Sequence, residues 1–386
     1  MTGELTGNPP AAHDARDGSL PELLVLCRIP PPVTGMTLVT KEIVERLESA
    51  GPVTFYNWSV GTSRRGLGTR LRYAGRIISS IIQLLRRGRA VDKRLYLVSN
   101  SQAGLYMTAL LVSVAARLGY TLYLHHHVYW YIDRYDRRMA WIDRWIGSRG
   151  VHVVHCEKMM QDFSKRYHSK RRFAVVFPSV RPVEVGSSRQ WNTSTFRLGL
   201  LSNLTMSKGV EPAVETVEAL RRAGRPVALT FAGPAHTREA RQFVERAVAE
   251  HPDFVAYSGT VYGEAKSQFF ANIDAFLLPT QSESWGLVLH EALAAGVPVI
   301  VNDRGCSRIV AGEGTGLVVS DDKEFVQLAV AQVERWMQNP GEYAAASQAA
   351  INQADLLNRE GQRTLSDFVE HMFSPIDDQM GLLRPA

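Results

Sequence analysis

Short apolar runs alternate with longer segments of helical period along nearly the whole chain. In the first half the runs are LLVLC (23–27), VTFYNW (53–58), RLYLVS (94–99), TLYLH (121–125), VHVVHC (151–156) and FAVVFP (173–178). The second half has RLGLLS (197–202), VALTFAG (227–233), FVAYSG (254–259), AFLLP (275–279), PVIVN (298–302) and GLVV (316–319). Between them the apolar spacing predicts helices over 36–49, 104–118, 133–147, 210–223, 237–250 and 322–338. Continuous apolar strands separated by helices predict parallel sheets covered on both faces. The polar, turn-rich segment 179–195 predicts a linker between the two sets. The expected organisation is two doubly wound domains, 21–184 and 185–360, with a C-terminal helix and tail (361–386) returning to the first. Ligands would lie in the interdomain cleft, outside the strand ends.

Composition narrows this picture. With 386 residues, 45% hydrophobic and 21% charged, the chain has the length and make-up of two globular domains. No apolar run reaches the roughly 18 residues of a membrane span. Residues 1–20 carry acids and prolines around no apolar centre, and predict a disordered leader rather than a signal peptide. Cys27, Cys156 and Cys306 are far apart and form no CxxC pair, which predicts separate core thiols in a reducing cytoplasm. The glycosylation sequons at Asn57, Asn192 and Asn203 then carry no weight. Charge is uneven: residues 1–184 hold 27 Lys and Arg against 14 Asp and Glu, while 185–386 hold 17 against 24. Ten basic residues and a single acid, Asp92, lie between Arg64 and Arg94. Two bodies with different partners are implied.

The segment SESWGLVLHEALAAGVPVI (282–300) opens an apolar helix yet keeps Glu283 and Glu291, with seven residues between them. A buried carboxylate needs a partner or a cleft. The preceding strand puts Glu283 at a strand's C-terminal edge. The N–H groups of Ser284, Trp285, Gly286 and Leu287 then form a helix N-terminus suited to phosphate. A capping acid and a surface acid are the plainer alternatives.

This segment, with its E-x7-E spacing, resembles the signature of the family 4 retaining glycosyltransferases of GT-B fold. SNLTMSKGV (202–210), FAGPA (231–235) and GTGLVV (314–319) resemble further family motifs, in order, across about 150 residues. PPPVTGMTLVT and LHHHVYWYI resemble the family more loosely. The resemblance implies that Glu283 reaches hydroxyls of a donor sugar and Glu291 accepts from both ribose hydroxyls, a fit between one carboxylate and a vicinal diol. Lys208 would neutralise the departing diphosphate. Asn203 stands where the family commonly has an arginine, and Arg304 is the candidate replacement. Gly35, after the first strand, would let backbone approach the donor closely.

The three histidines of LHHHVYWYI stand at a strand end. Adjacent histidines point different ways and lack an acidic or Cys partner at ligand spacing, so no metal site is expected. By resemblance His127 faces the sugar, with His126 next, while Tyr129 and Trp130 would stack on an acceptor. The segment Arg64–Arg89 repeats apolar residues at Leu71, Ala74, Ile78, Ile81 and Leu85 between flanking arginines. Such a helix suits an anionic membrane surface or an ordinary domain face. No recognition motif accompanies the charge, which disfavours nucleic acid.

The expected activity is transfer, with retention, of a sugar from a nucleotide-diphosphate donor to a saccharide acceptor. Lipid-linked acceptors of surface polysaccharide assembly fit the basic half, at the inner face of the membrane. His127, Lys208 and Glu283 form the catalytic set, with no cofactor beyond the donor. The acceptor would attack from the leaving group's side without an enzyme nucleophile. A nucleotide-sugar epimerase of the same fold is the alternative. A silent partner subunit and a dehydrogenase fit less well, the latter for want of a G-x-G-x-x-G after the first strand.

Overall fold

The computed structural model describes residues 21–31, 33–58, 67–88, 92–178, 187–191, 194–374 and 384–385. The expected leader, most of the linker and both ends of the basic segment lie outside these residues. The first sheet is built from β1 (Glu22–Cys27), β2 (Val53–Asn57), β3 (Lys93–Val98), β4 (Thr121–His125), β5 (Val151–Val154) and β6 (Arg172–Val175). The second contains β7 (Phe196–Leu201), β8 (Val227–Ala232), β9 (Val255–Tyr257), β10 (Ala275–Leu278), β11 (Val299–Asn302) and β12 (Gly316–Val319). A short β13 (Arg384–Pro385) pairs antiparallel with β6; the other pairings are parallel.

Strand order is β13-β6-β5-β4-β3-β1-β2 in the first sheet and β12-β11-β10-β7-β8-β9 in the second. Order therefore reverses between β1 and β3, and again between β7 and β10. Connections leaving adjacent strands at such a point run to opposite faces and open a crevice at the carboxyl ends. Each sheet's core comes from its own alternation. Leu122 and Leu124 of β4 pack on one face of the first sheet, Tyr123 on the other. A continuous apolar cluster then crosses from Leu97 and Leu124 through Tyr129 and Trp285 to Leu289 and Val301, joining the two domains.

Three features depart from the periodicity. The helix expected over 133–147 is broken: Trp130–Asp133 ends at extended Arg134, and Asp136 caps a new helix, Arg137–Trp145, by accepting from the Arg138 N–H. Residue 360 is no boundary, because one helix runs unbroken from Pro340 to Phe373. Its last turns bring Leu365, Phe368 and Met372 onto the first domain, where Phe368 meets Tyr96 and Tyr123. Buried Arg94 holds the helix end, donating to the carbonyls of His371, Met372 and Ser374 while its own charge is paired with Asp92. Finally, Cys156 and Cys306 are joined in a disulfide between the two domains; only Cys27 is a separate core thiol. Their separation of 150 residues concealed the pair, since packing after β5 and β11 is what brings them together.

Candidate active site

The crevice of the second sheet collects the charged residues. After β7 the chain makes a short turn, Met206–Lys208, and closes it at Gly209, whose φ of 79° suits glycine. A side chain at Gly209 would also strike the Pro279 backbone, so this turn lies directly against the one after β10. The contact brings Lys208 Nζ to 2.8 Å from Glu283 Oε2, although 75 residues separate them. Glu283 also accepts from the Ser284 N–H at 3.0 Å. Gly286, at φ 87°, starts the helix Leu287–Ala294. One turn into it, Glu291 is largely but not fully buried, and that burial raises its pKa. Lys266, from the helix Glu264–Ala271, lies 2.6 Å from Glu291 Oε1 and opposes that rise. Sequence reasoning missed Lys266: it stands in no motif and reaches Glu291 only through packing.

Two adjoining cavities occupy the cleft. The smaller, about 220 Å³, is lined by Lys208, Glu283, Ser284, Trp285, Gly286 and Leu287 on one side, with Gly35, His127 and His155 opposite. The larger, about 850 Å³, is lined by Glu291, Lys266, Tyr262, Arg189, Thr34 and Gly233 among others. Asn203, Gly35 and Leu287 border both. A third cavity of about 460 Å³ opens at the crevice of the first sheet, beside Arg28, Trp58, Ser99 and Asn100.

Several expected site residues are placed elsewhere. Arg304 is salt-bridged to Asp322 at 2.6 Å and lines none of these cavities, so it does not replace the missing arginine. His126 is fully buried: Nδ1 meets the Tyr131 hydroxyl and Nε2 meets His152, which in turn meets Asp143. Tyr129 is buried with its hydroxyl on Asp162, and Trp130 is half-buried. None of the three lines these cavities; for His126 the reason is period-two alternation, which turns it to the opposite face from His125 and His127. The neighbour these histidines gain is neither an acid nor a cysteine but a fourth histidine. His155, one strand over, joins His125 and His127, with ligand atoms all within 4.8 Å. Burial lowers the pKa of all three, that of His155 to about 4, so the rings are neutral at pH 7.

Comparison with known proteins agrees with this geometry. Residues 195–336 match the family model for glycosyl transferases group 1. Over 196 residues the chain is 29% identical to a D-inositol 3-phosphate glycosyltransferase of Pseudarthrobacter chlorophenolicus, covering 50% of this chain and 46% of that protein. It is 25% identical over 209 residues to the lipopolysaccharide glucosyltransferase WaaG of Escherichia coli, covering 50% and 54%. The matches thus span about half the length of these relatives. Anabaena HepE, solved with UDP-glucose, superposes with a TM-score of 0.62 at 13% identity, over 89% of this chain and 99% of that one. The two sheets and their cleft are a GT-B fold, and residues 195–336 match the glycosyl transferases group 1 family model.

Proposed function

We propose that this chain is a retaining glycosyltransferase that moves a sugar from a nucleoside-diphosphate donor to a saccharide acceptor. The observation that carries this is the Lys208–Glu283 pair at the β7/β10 crevice, facing Gly35 and His127 across a small cavity. Lys208 and the N–H groups at the start of the Leu287–Ala294 helix would stabilise the departing diphosphate. Glu283 and His127 would hold sugar hydroxyls. The larger cavity would take the nucleoside, its ribose diol accepted by Glu291, whose charge Lys266 supports. UDP-glucose bound by HepE makes uridine diphosphate the first nucleotide to try. The acceptor would enter at the first sheet's crevice, where Arg28 and Asn100 replace the expected His126, Tyr129 and Trp130. Arg28 favours an anionic acceptor, in keeping with lipid-linked phosphates.

Peripheral membrane binding belongs to the same proposal. Among the described residues no helix is long and apolar enough to cross a membrane. On the helix Leu67–Arg86, however, Ile78, Ile82 and Leu85 are exposed beside exposed Arg86, and Tyr106, Trp141 and Trp145 are exposed on the helices that continue this side of the domain.

Incubation with UDP-glucose and a panel of phosphorylated saccharides, with NMR assignment of the new anomeric bond, tests transfer and retention together. An inverted linkage would remove the retaining mechanism. A changed sugar without acceptor would make the chain an epimerase. Glu283→Gln should lower turnover far more than nucleotide affinity, because its contact is with the sugar.

A further inference from the structure

Three buried imidazoles stand at the edge of the cleft without a structural explanation. β4 and β5 are paired in parallel register with His125 opposite Val153, and the His126 N–H continues the ladder to the Val153 carbonyl. Alternation from that register turns His125, His127 and His155 to the same face. Their ring centroids lie 4.1 to 5.0 Å apart. His125 Nε2, His127 Nε2 and His155 Nδ1 are all buried and have no hydrogen-bond partner among the described residues. Buried polar atoms without partners are uncommon, and three on neighbouring rings call for a shared ligand. The Tyr96 hydroxyl, 2.5 Å from His125 Nδ1, can accept a hydrogen bond from Nδ1–H, which fixes the tautomer that leaves the Nε2 lone pair free for a ligand. This is how ligand imidazoles are oriented in metal sites.

We propose that His125, His127 and His155 bind a late first-row divalent ion, zinc foremost, whose fourth position opens into the cavity beside Glu283. Imidazole nitrogen suits such ions, and three histidines with an open position is a known zinc arrangement. Zinc–nitrogen bonds near 2.05 Å put tetrahedral ligand atoms about 3.3 Å apart. The ligand atoms here lie within 4.8 Å, so small side-chain rotations close the site. Because His127 and His155 also line the donor cavity, a bound ion would occupy His127 and compete with the sugar. That consequence rests on the proposed function; metal binding does not.

The test uses the untagged full chain, stripped with chelator and titrated calorimetrically with Zn²⁺, and with Co²⁺ followed by its visible absorption. A single saturable site per chain is expected. His127→Ala and His155→Ala should abolish it, and Tyr96→Phe, which keeps the packing, should weaken it by about 10- to 100-fold. His168→Asn, at an exposed residue, should leave it unchanged. No saturable binding below about 100 μM, or equal binding by His127→Ala, His155→Ala and the parent, overturns the site. UDP-glucose titrated into the same preparations separates this from failure of the donor proposal. Zinc that binds without displacing donor upholds the site and removes only His127 from the sugar.

Discussion

The two crevices accommodate their polar groups by different means. In the second domain they are charges compensated pairwise: Glu283 by Lys208 and Glu291 by Lys266. In the first domain they are imidazoles, held neutral by burial and by one another. A buried ion pair gains little net stability, but loss of one partner strands the other, so such pairs persist where function requires the charge. Neutral imidazoles tolerate burial singly and can serve as packing, hydrogen-bonding or ligating groups. The contrast separates a cleft wall of paired opposite charges from one of neutral rings.

Removing one charge should expose the difference most. Lys208→Ala should lower turnover by roughly 10²-fold or more, the scale of one transition-state stabiliser, with a smaller change in nucleotide affinity. Steady-state kinetics beside UDP titration checks this, and unaltered turnover would remove Lys208 from the chemistry. Glu291→Ala should weaken UDP binding by roughly 10- to 100-fold, the loss of a charged hydrogen bond. Lys266→Ala should do less. A weaker effect for Glu291→Ala than for Lys266→Ala would move the nucleotide contact to the lysine.

The imidazole side makes its own prediction about pH. His371, against Tyr123, and His155 both have pKa values lowered to about 4 by burial, from an ordinary 6.5. Between those values the unfolded chain binds more protons than the folded one, so stability falls as pH drops from 6.5 to 4 and levels below. For His371 alone this is about 3 kcal/mol. Chemical denaturation across that window should show the loss, and His371→Gln should flatten part of it. A flat profile would mean that these rings titrate normally.

The smallest effect is expected at the surface. Ile78→Asp with Leu85→Asp should reduce binding to anionic liposomes and leave UDP affinity unchanged. Arg86→Glu should add to this, at about 1 kcal/mol per charge. Arg87 is a poorer choice, since it is salt-bridged to Glu22; Arg89 lies outside the described residues. Equal binding by the parent and the double variant would make this helix face an ordinary solvated surface.

Sequence by itself determined the alternating architecture and the wall of the cleft carried by residues 202–210 and 282–291. Strand and helix periods are local, and one strand–turn–helix unit fixes the spacing of Glu283 and Glu291. It also marked Lys208, whose Lys-Gly turn is recognisable without its partner. Tertiary structure alone decided the rest. The Cys156–Cys306 bridge, Lys266 beside Glu291, Arg304 turned to Asp322 and the His125–His127–His155 cluster all depend on which strands are neighbours. Strand order in a parallel sheet is set by crossovers and by how the two domains pack. A linear pattern of polar and apolar residues records which face a side chain takes, but not which distant residue it meets there.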